Sequence, residues 1–466
     1  MIKNTHPDYD NNLEHWDECL DAFEGPRAIK EKTTSYLSPS RGMYEDGFGV
    51  DAKSEGARAY AAYVERAYYP SNYADTVKKI LGIMHRQPAV FNLPDSMKSL
   101  ITDATGSGES LQEFLRRINK TQLCTGRGSI LGDIQPIESG SNRMRPTVAL
   151  YSEKATRQWY VHSQKTLFVI LDESGPQMND QYKYVQVKQY RVIRLIEDES
   201  GKITYATAVT QDESANVDEL NYITPNVSGK TLESLPFSFV NADNTNSAIQ
   251  EPPLLGLKDS CIAIYRASAD LNSALFLQGQ ETLVISGNNT FNQDDDEHVR
   301  TGTGAVINLP MGAKAEYIGV NSQGLPEMRL NLQNAYDRAQ QQSSQLSVQS
   351  ASNRDSAEAL SIRGSNMSAH YTAIALAGAE ALEQTLKAMA PWFNANPDEI
   401  SVKPNLDFAQ PTIDPDSFVD LIAAKNAGLK ISEESIHELM HTYGLTKNTF
   451  EQEQILLASE ESLTTL

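Results

Sequence analysis

Apolar residues recur at steps of three and four from Asn11 to about Pro94, the spacing of helices with one buried face. Tyr60, Tyr63, Val64 and Ala67 share such a face until Pro70 ends the run. A second short helix then carries Val77, Ile80, Leu81 and Met84 and stops near Pro88. A third opens at Ser110, where Glu113 stands at capping-box distance, and its apolar stripe is Leu111, Phe114, Leu115, Ile118 and Leu123. Between about Pro146 and Val240 the period becomes two, in TLFVILDE, YKYVQVKQYRVIRLIED and KITYATAV, with ESGPQMND and DESGK as turns between them. This predicts an antiparallel meander.

The stretch NADNTNSAIQEPP marks a boundary, after which helical spacing returns. Leu257, Cys261, Tyr265, Ser268, Leu271 and Leu275 line a helix over Leu255 to Gln278. Two β-like pieces, ETLVISG and AVINLPMGAKAEYIGV, flank the polar loop NNTFNQDDDEHVRTGTG. Another helix, with Met328, Leu332, Ala335 and Ala339 on one face, starts at Pro326 and gives way to a polar loop over Ser347 to Ser356. From Ala357 to Trp392 a single long pattern carries Leu360, Gly364, Met367, Tyr371, Ile374, Gly378, Leu382 and Met389 on one stripe. At ~1.5 Å per residue it reaches roughly 50 Å, a strut rather than a member of a compact bundle, and its two glycines suggest a closely packed neighbour. Short helices close the chain after a Pro-rich connection. The fold class predicted is α+β.

Composition narrows the functions. The chain is 40% hydrophobic and 22% charged, as in ordinary folded water-soluble proteins. It has no apolar run of membrane-spanning length, and its N-terminus lacks a signal-peptide layout, so a cytoplasmic site of synthesis is expected. Cys19, Cys124 and Cys261 are far apart without a CxxC pair, which points to reduced core thiols. A net charge of −21 argues against a surface that grips DNA by neutralising many phosphates.

Several strings taken together resemble a portal-like family of tailed bacteriophages whose members carried a domain-of-unknown-function label. They are HPDYDNNLEHWDECLDAFEG, YVERAYYPSNYADTVKKILGIMHRQPAV, SLQEFLRRINKTQLCTGRGSILGD, RPTVALYSEKATRQW, LPFSFVNAD, PPLLGLKDSCIAIYRASADLNSALFLQGQETLVISG and DSAEALSIRGSNMSAHYTAIALAGAEALEQTLKAMAPWF. The C-terminal FVDLIAAKNAGLKISEESIHELMHTYGLTKNTFEQEQI is similar to portal endings generally. The resemblance implies a ring, usually of twelve subunits, with a wing over 1–253, stem helices over 254–280 and 326–346, and a clip over 281–325. It implies a tunnel loop over 347–356, a long wing helix over 357–394 and a crown over 395–466. Gln345, Gln349, Ser350, Asn353 and Arg354 would then face DNA, and Asn292, Gln293, Asp294, Asp295, Asp296 and Glu297 would meet a tail adaptor and the packaging motor. The implied partners are further copies of the chain, terminase, a tail adaptor or head-completion protein, capsid and scaffold proteins, and passing double-stranded DNA, with no membrane. The implied place is the virion's portal vertex. No cofactor, metal or reaction is expected, and an acidic channel suits DNA that must slide.

Three motifs compete. His437, Glu438 and His441 form an HExxH string, which can hold zinc on one helix face, but Lys447 stands where a longer version has its third histidine. TGRGSILGD lacks phosphate-loop spacing and reads as a helix exit into a strand, and no GxxxxGK[ST] loop is present, so a packaging ATPase must be a separate protein. Asp294 to His298 lack EF-hand spacing and read as a solvated acidic tip. The alternatives to a portal are a zinc hydrolase and a non-portal phage structural or scaffold subunit.

Overall fold

In the computed structural model the described residues are 1–136, 144–163, 165–197, 201–227, 229–278, 282–286, 312, 314–318, 324–345, 357–408, 421–423, 425, 430–442, 448–454 and 456. The chain divides into Met1–Leu406 and Asp407–Leu466. The first unit mixes helices with antiparallel sheets, as the change of period predicts.

Its N-terminal part holds α1 (Pro7–Glu24), α2 (Pro26–Glu31), α3 (Arg41–Glu45), α4 (Glu55–Arg66) and α5 (Asn72–Met84). Tyr60, Val64 and Ala67 are buried, as are Val77, Ile80, Leu81 and Met84 on α5. Helix α6 is the single turn Ser99–Thr102, and α7 runs Leu111–Thr125. The capping box is present: the Ser110 hydroxyl accepts from the Glu113 N–H at 3.2 Å, and the Glu113 carboxylate accepts from the Ser110 N–H at 2.9 Å. Gly126, in the left-handed region at φ +68°, closes α7 and leads into a strand that starts at Arg127, so TGRGSILGD is indeed a helix exit into a strand.

Strands β1 (Val90–Asn92), β2 (Arg127–Pro136), β3 (Met144–Ser152), β4 (Thr156–His162), β5 (Lys165–Asp172), β6 (Gly175–Met178), β7 (Tyr184–Val187), β8 (Tyr190–Glu197), β9 (Ile203–Thr210) and β10 (Phe237–Asn241) follow. The meander is the four-stranded sheet β4-β5-β8-β9, antiparallel throughout. Two features depart from a plain meander. Strand β10 leaves it to pair with β2 in the sheet β10-β2-β3, and β6, in a stretch the sequence marked as a turn, pairs with β7 in a hairpin of their own.

Helix α8 covers Leu255–Gln278, as its stripe predicts. Strands β11 (Thr282–Ser286) and β12 (Lys314–Ile318) pair antiparallel, and α9 spans Leu325–Gln345. Helix α10 runs Ala357–Met389 and tightens into a 3₁₀ turn over Ala390–Phe393, which contains Pro391. Strand β13 (Ser401–Lys403) returns to pair with β1.

One core joins α7, the inner faces of both larger sheets and the C-terminal half of α10, through Phe114, Ile118, Ile130, Val169, Ile193, Leu382 and Met389. Each such side chain, fully buried, contributes roughly 1.5–3 kcal/mol. The cysteines are free and buried. Burial pushes the thiols of Cys19 up to about 11 and of Cys124 and Cys261 up to about 12. Among the described residues no helix is long and apolar enough to cross a membrane. In the second unit, α11 spans Glu433–Thr442.

Candidate functional site

Helices α8 and α9 form an antiparallel pair. Near the start of α8, the Ser260 hydroxyl donates to Gln342 Oε1 at 2.6 Å, close to the end of α9. Gly256 leaves room for the Gln342 amide, whose Nε2 lies 2.9 Å from where a Cβ would stand. Ala335 and Ala339 are the buried residues on the middle of α9, and their small size lets the helices approach closely.

Helix α8 is tied along its length to the N-terminal helices. Lys258 meets Glu18 and Asp259, each at 2.6 Å. Burial lowers the lysine's pKa and the two carboxylates raise it, with a net rise. Arg266 Nε donates to the Tyr36 carbonyl at 2.8 Å, Tyr63 donates to Asp270, and Asn272 donates to the Arg66 carbonyl at 2.9 Å. The Arg66 guanidinium sits 3.6 Å from the Phe276 ring centroid. These bonds make α8 the inner, fixed member of the pair.

Helix α9 is the outer member. Gln333, Asn334, Asp337, Arg338, Gln340 and Gln341 are exposed on it. Its charged residues are Glu327, Arg329, Asp337 and Arg338, which balance to zero in a chain of net −21. At the opposite end of the pair from Gln342, Phe276, Leu277, Met328 and Leu330 are exposed, and there the chain passes into the β11-β12 hairpin.

Of the DNA-facing residues expected from the sequence, Gln345 is the last residue of α9. Gln349, Ser350, Asn353 and Arg354 lie outside the described residues, and so do Asn292, Gln293, Asp294, Asp295, Asp296 and Glu297. The HExxH string falls on α11. His437 is buried there, edge-on to Phe450 at 5.5 Å between ring centroids, while the side chains of Glu438 and His441 lie outside the described residues.

Sequence reasoning missed the polar groups that fix α10 to the body. Asn119 and Gln122 interrupt the apolar stripe of α7 and are buried. The Gln122 amide donates to the Ile374 carbonyl on α10 at 3.1 Å and to the Asn241 carbonyl on β10 at 2.8 Å. Asn119 Nδ2 donates to Gln122 Oε1 at 2.8 Å and Asn119 Oδ1 accepts from His85 Nε2 at 2.8 Å, while His85 Nδ1 accepts from Gln112 at 3.2 Å. Burial holds His85 below its ordinary pKa. Beside this row, Arg127 donates to Asn241 Oδ1 at 2.7 Å and to the carbonyls of Asn246 and Ser247, and burial pushes its guanidinium down to about 9. The signals in the sequence were the pair of amides on an otherwise apolar face and Gly378, which marked a close neighbour without naming it.

A family model described as a domain of unknown function (DUF4055) matches residues 253–393, the stretch from α8 through α10. No curated protein matches the chain. Among solved structures, the chain is similar to one in the virion of a native gene transfer agent (GTA) particle, at 12% identity and a TM-score of 0.39, covering 81% of this chain and 92% of that one. It is also similar to a chain in the neck of an empty GTA particle computed with C6 symmetry, at 11% identity and a TM-score of 0.38, covering 88% of this chain and 94% of that one.

Proposed function

We propose that the chain is a portal subunit: copies form a ring at the capsid vertex of a tailed bacteriophage, and double-stranded DNA passes through that ring during packaging and ejection. The observation that carries the reading is the outward face of α9, charge-balanced and rich in amides on a chain of net −21. The face is neutral where the net charge suggested an acidic channel, and a carboxylate-lined wall would repel the duplex. A lysine-lined wall would hold it through release of many counterions. A wall of Gln, Asn and paired charges does neither, which suits a surface past which DNA slides. The string resemblance to portal-like proteins supports the same assignment, with 347–356 as the segment nearest the duplex.

Phe276, Leu277, Met328 and Leu330 offer neighbouring copies apolar surface to bury, as a closed ring of heterologous contacts requires. The reading assigns no reaction to the chain: the energy for packaging comes from a terminase, and the β11-β12 end of the helix pair meets the motor and the tail adaptor. His437 serves as a core residue in this reading, in keeping with its packing against Phe450.

The test pairs imaging with packaging. Negative-stain images of the purified chain should show rings with a central channel. Heads assembled with Arg354→Glu, or lacking residues 349–353, should keep normal rings and package or retain less DNA. Monomers at all micromolar concentrations would overturn the ring. Normal rings with wild-type packaging in both variants would remove the loop from the channel.

A further inference from the structure

The β6-β7 hairpin stands apart from the two larger sheets of the first unit. It continues the β5-β8 pair beyond Asp172 and Tyr190, outside the four-stranded sheet. Four residues per strand at ~3.3 Å each, plus the turn, carry it more than about 13 Å past that sheet. Among the described residues neither of its strands has a third strand beside it. The base is anchored, since the Glu173 N–H donates to the Gln189 carbonyl at 2.8 Å and Arg191 binds the Glu173 carboxylate at 2.6 Å. The tip is shaped by Asn179, whose side-chain oxygen accepts from the N–H groups of Gln181 and Lys183, both at 3.0 Å. The hairpin is thus a formed arm rather than a loose loop.

Its surface is largely apolar and uncharged. Neither strand contains a charged residue. Met178 and Tyr184 stand opposite each other on one face and are 56% and 68% exposed, Tyr182 at the tip is 84% exposed, and Val185 on the other face is 38% exposed. A two-stranded hairpin is at best marginally stable alone in water and needs further strands or an apolar cover. At the tip Asp180 and Lys183 offset each other, and Lys188 at the base pairs with Glu213 at 3.0 Å, so the arm carries no surplus charge on a chain of −21.

We propose that this hairpin docks on a second copy of the chain, the tyrosines and Met178 burying against its surface and Lys183 meeting its carboxylates. Charge selects this occupant. Two bodies of strong like charge approach most readily where one presents a neutral apolar arm, and an arm with no surplus cation does not recruit a nucleic acid. An arm on one subunit seated in a different surface of the next is the heterologous geometry that closes a ring, so the proposal deepens the portal reading and rests on it.

The experiment uses the full chain. Tyr182→Cys introduces an exposed thiol where the native cysteines are all buried, so a maleimide–benzophenone probe attaches at the tip alone. Photolysis of the assembled protein should give chain-to-chain adducts of doubled mass, mapped by peptide mass spectrometry. Tyr182→Ser combined with Tyr184→Ser should weaken association by roughly tenfold or more in sedimentation, with the circular dichroism spectrum unchanged. A wild-type ring with adducts only within one chain, or with the double variant assembling like wild type, overturns the hairpin contact and leaves the ring standing. A wild-type chain that stays monomeric overturns both.

Discussion

Replacing Gly378 by alanine sets two opposed effects against each other at one position. Alanine in a helix interior is favoured over glycine by about 0.5–1 kcal/mol through backbone entropy alone. At Gly378, however, a Cβ would sit 2.6 Å from both Asn119 Nδ2 and Gln122 Oε1 and 3.2 Å from Ile118 Cγ2. These atoms are not the free ends of mobile side chains. Gln122 is held by the carbonyls of Ile374 and Asn241, and Asn119 by His85, so they can give way only by breaking buried hydrogen bonds. Overpacking costs ~1–3 kcal/mol, and stranding a buried amide costs ~1–3 kcal/mol more. The unfavourable side wins, and Gly378→Ala should destabilise Met1–Leu406 by about 1–5 kcal/mol. Gly82, on the exposed side of α5, is the control, because nothing lies within 4 Å of its Cβ position. Gly82→Ala should be neutral or stabilising by up to about 1 kcal/mol. Urea titration followed by fluorescence should place the midpoints in the order Gly82→Ala, wild type, Gly378→Ala. A Gly378→Ala midpoint at or above wild type would refute the close approach of α10 to α7 and the amide clamp with it.

Two further expectations follow from the same row of buried groups. His85 is held below its ordinary value of about 6.5 by burial, with Arg116 adding to the effect and the Asn119 hydrogen bond opposing it, so the unfolded chain takes up the proton first as pH falls. Its contribution to stability is complete above about pH 6.5 and is lost as pH drops from there towards the lowered folded value. Urea midpoints for wild type should therefore fall more steeply from pH 7 to pH 5 than those of His85→Gln, and parallel slopes would contradict the neutral, doubly bonded ring. The thiols of Cys19, Cys124 and Cys261 are buried and displaced to about 11 or 12, so a chromogenic disulfide reagent at pH 8 should label none rapidly in the native protein and all three in urea. Rapid labelling of even one in the native protein would show that its surroundings open.

What was legible in the sequence is what short range decides. The Ser110 and Glu113 cap, the bounds of α8 and the buried stripe of α7 each depend on residues a turn or two apart, and periodicity reports such neighbours directly. Pairings decided across long stretches of chain were not legible. Strand β13 meets β1, with Asn92 donating to Ser401 at 2.8 Å across 309 positions, and β10 crosses to β2. Alternation fixes which face of a strand is buried but not which strand lies beside it. Strand β6 was missed for a different reason. ESGPQMND carries the glycine, proline and asparagine of a turn, and it does hold one, but the residues that flank Asn179 pair as strands because the main chain of β5 and β8 sets their register from below. The same distinction bears on function. The amide-rich, charge-balanced face of α9 could be composed from the sequence but became a surface only once Ala335 and Ala339 were buried and Gln342 met Ser260. That order of cause places the channel assignment on α9's packing against α8. A substitution such as Ala339→Leu, which forces the pair apart by overpacking, should therefore reduce the rings that the proposed function expects in negative-stain images, even though it leaves every outward-facing residue in place.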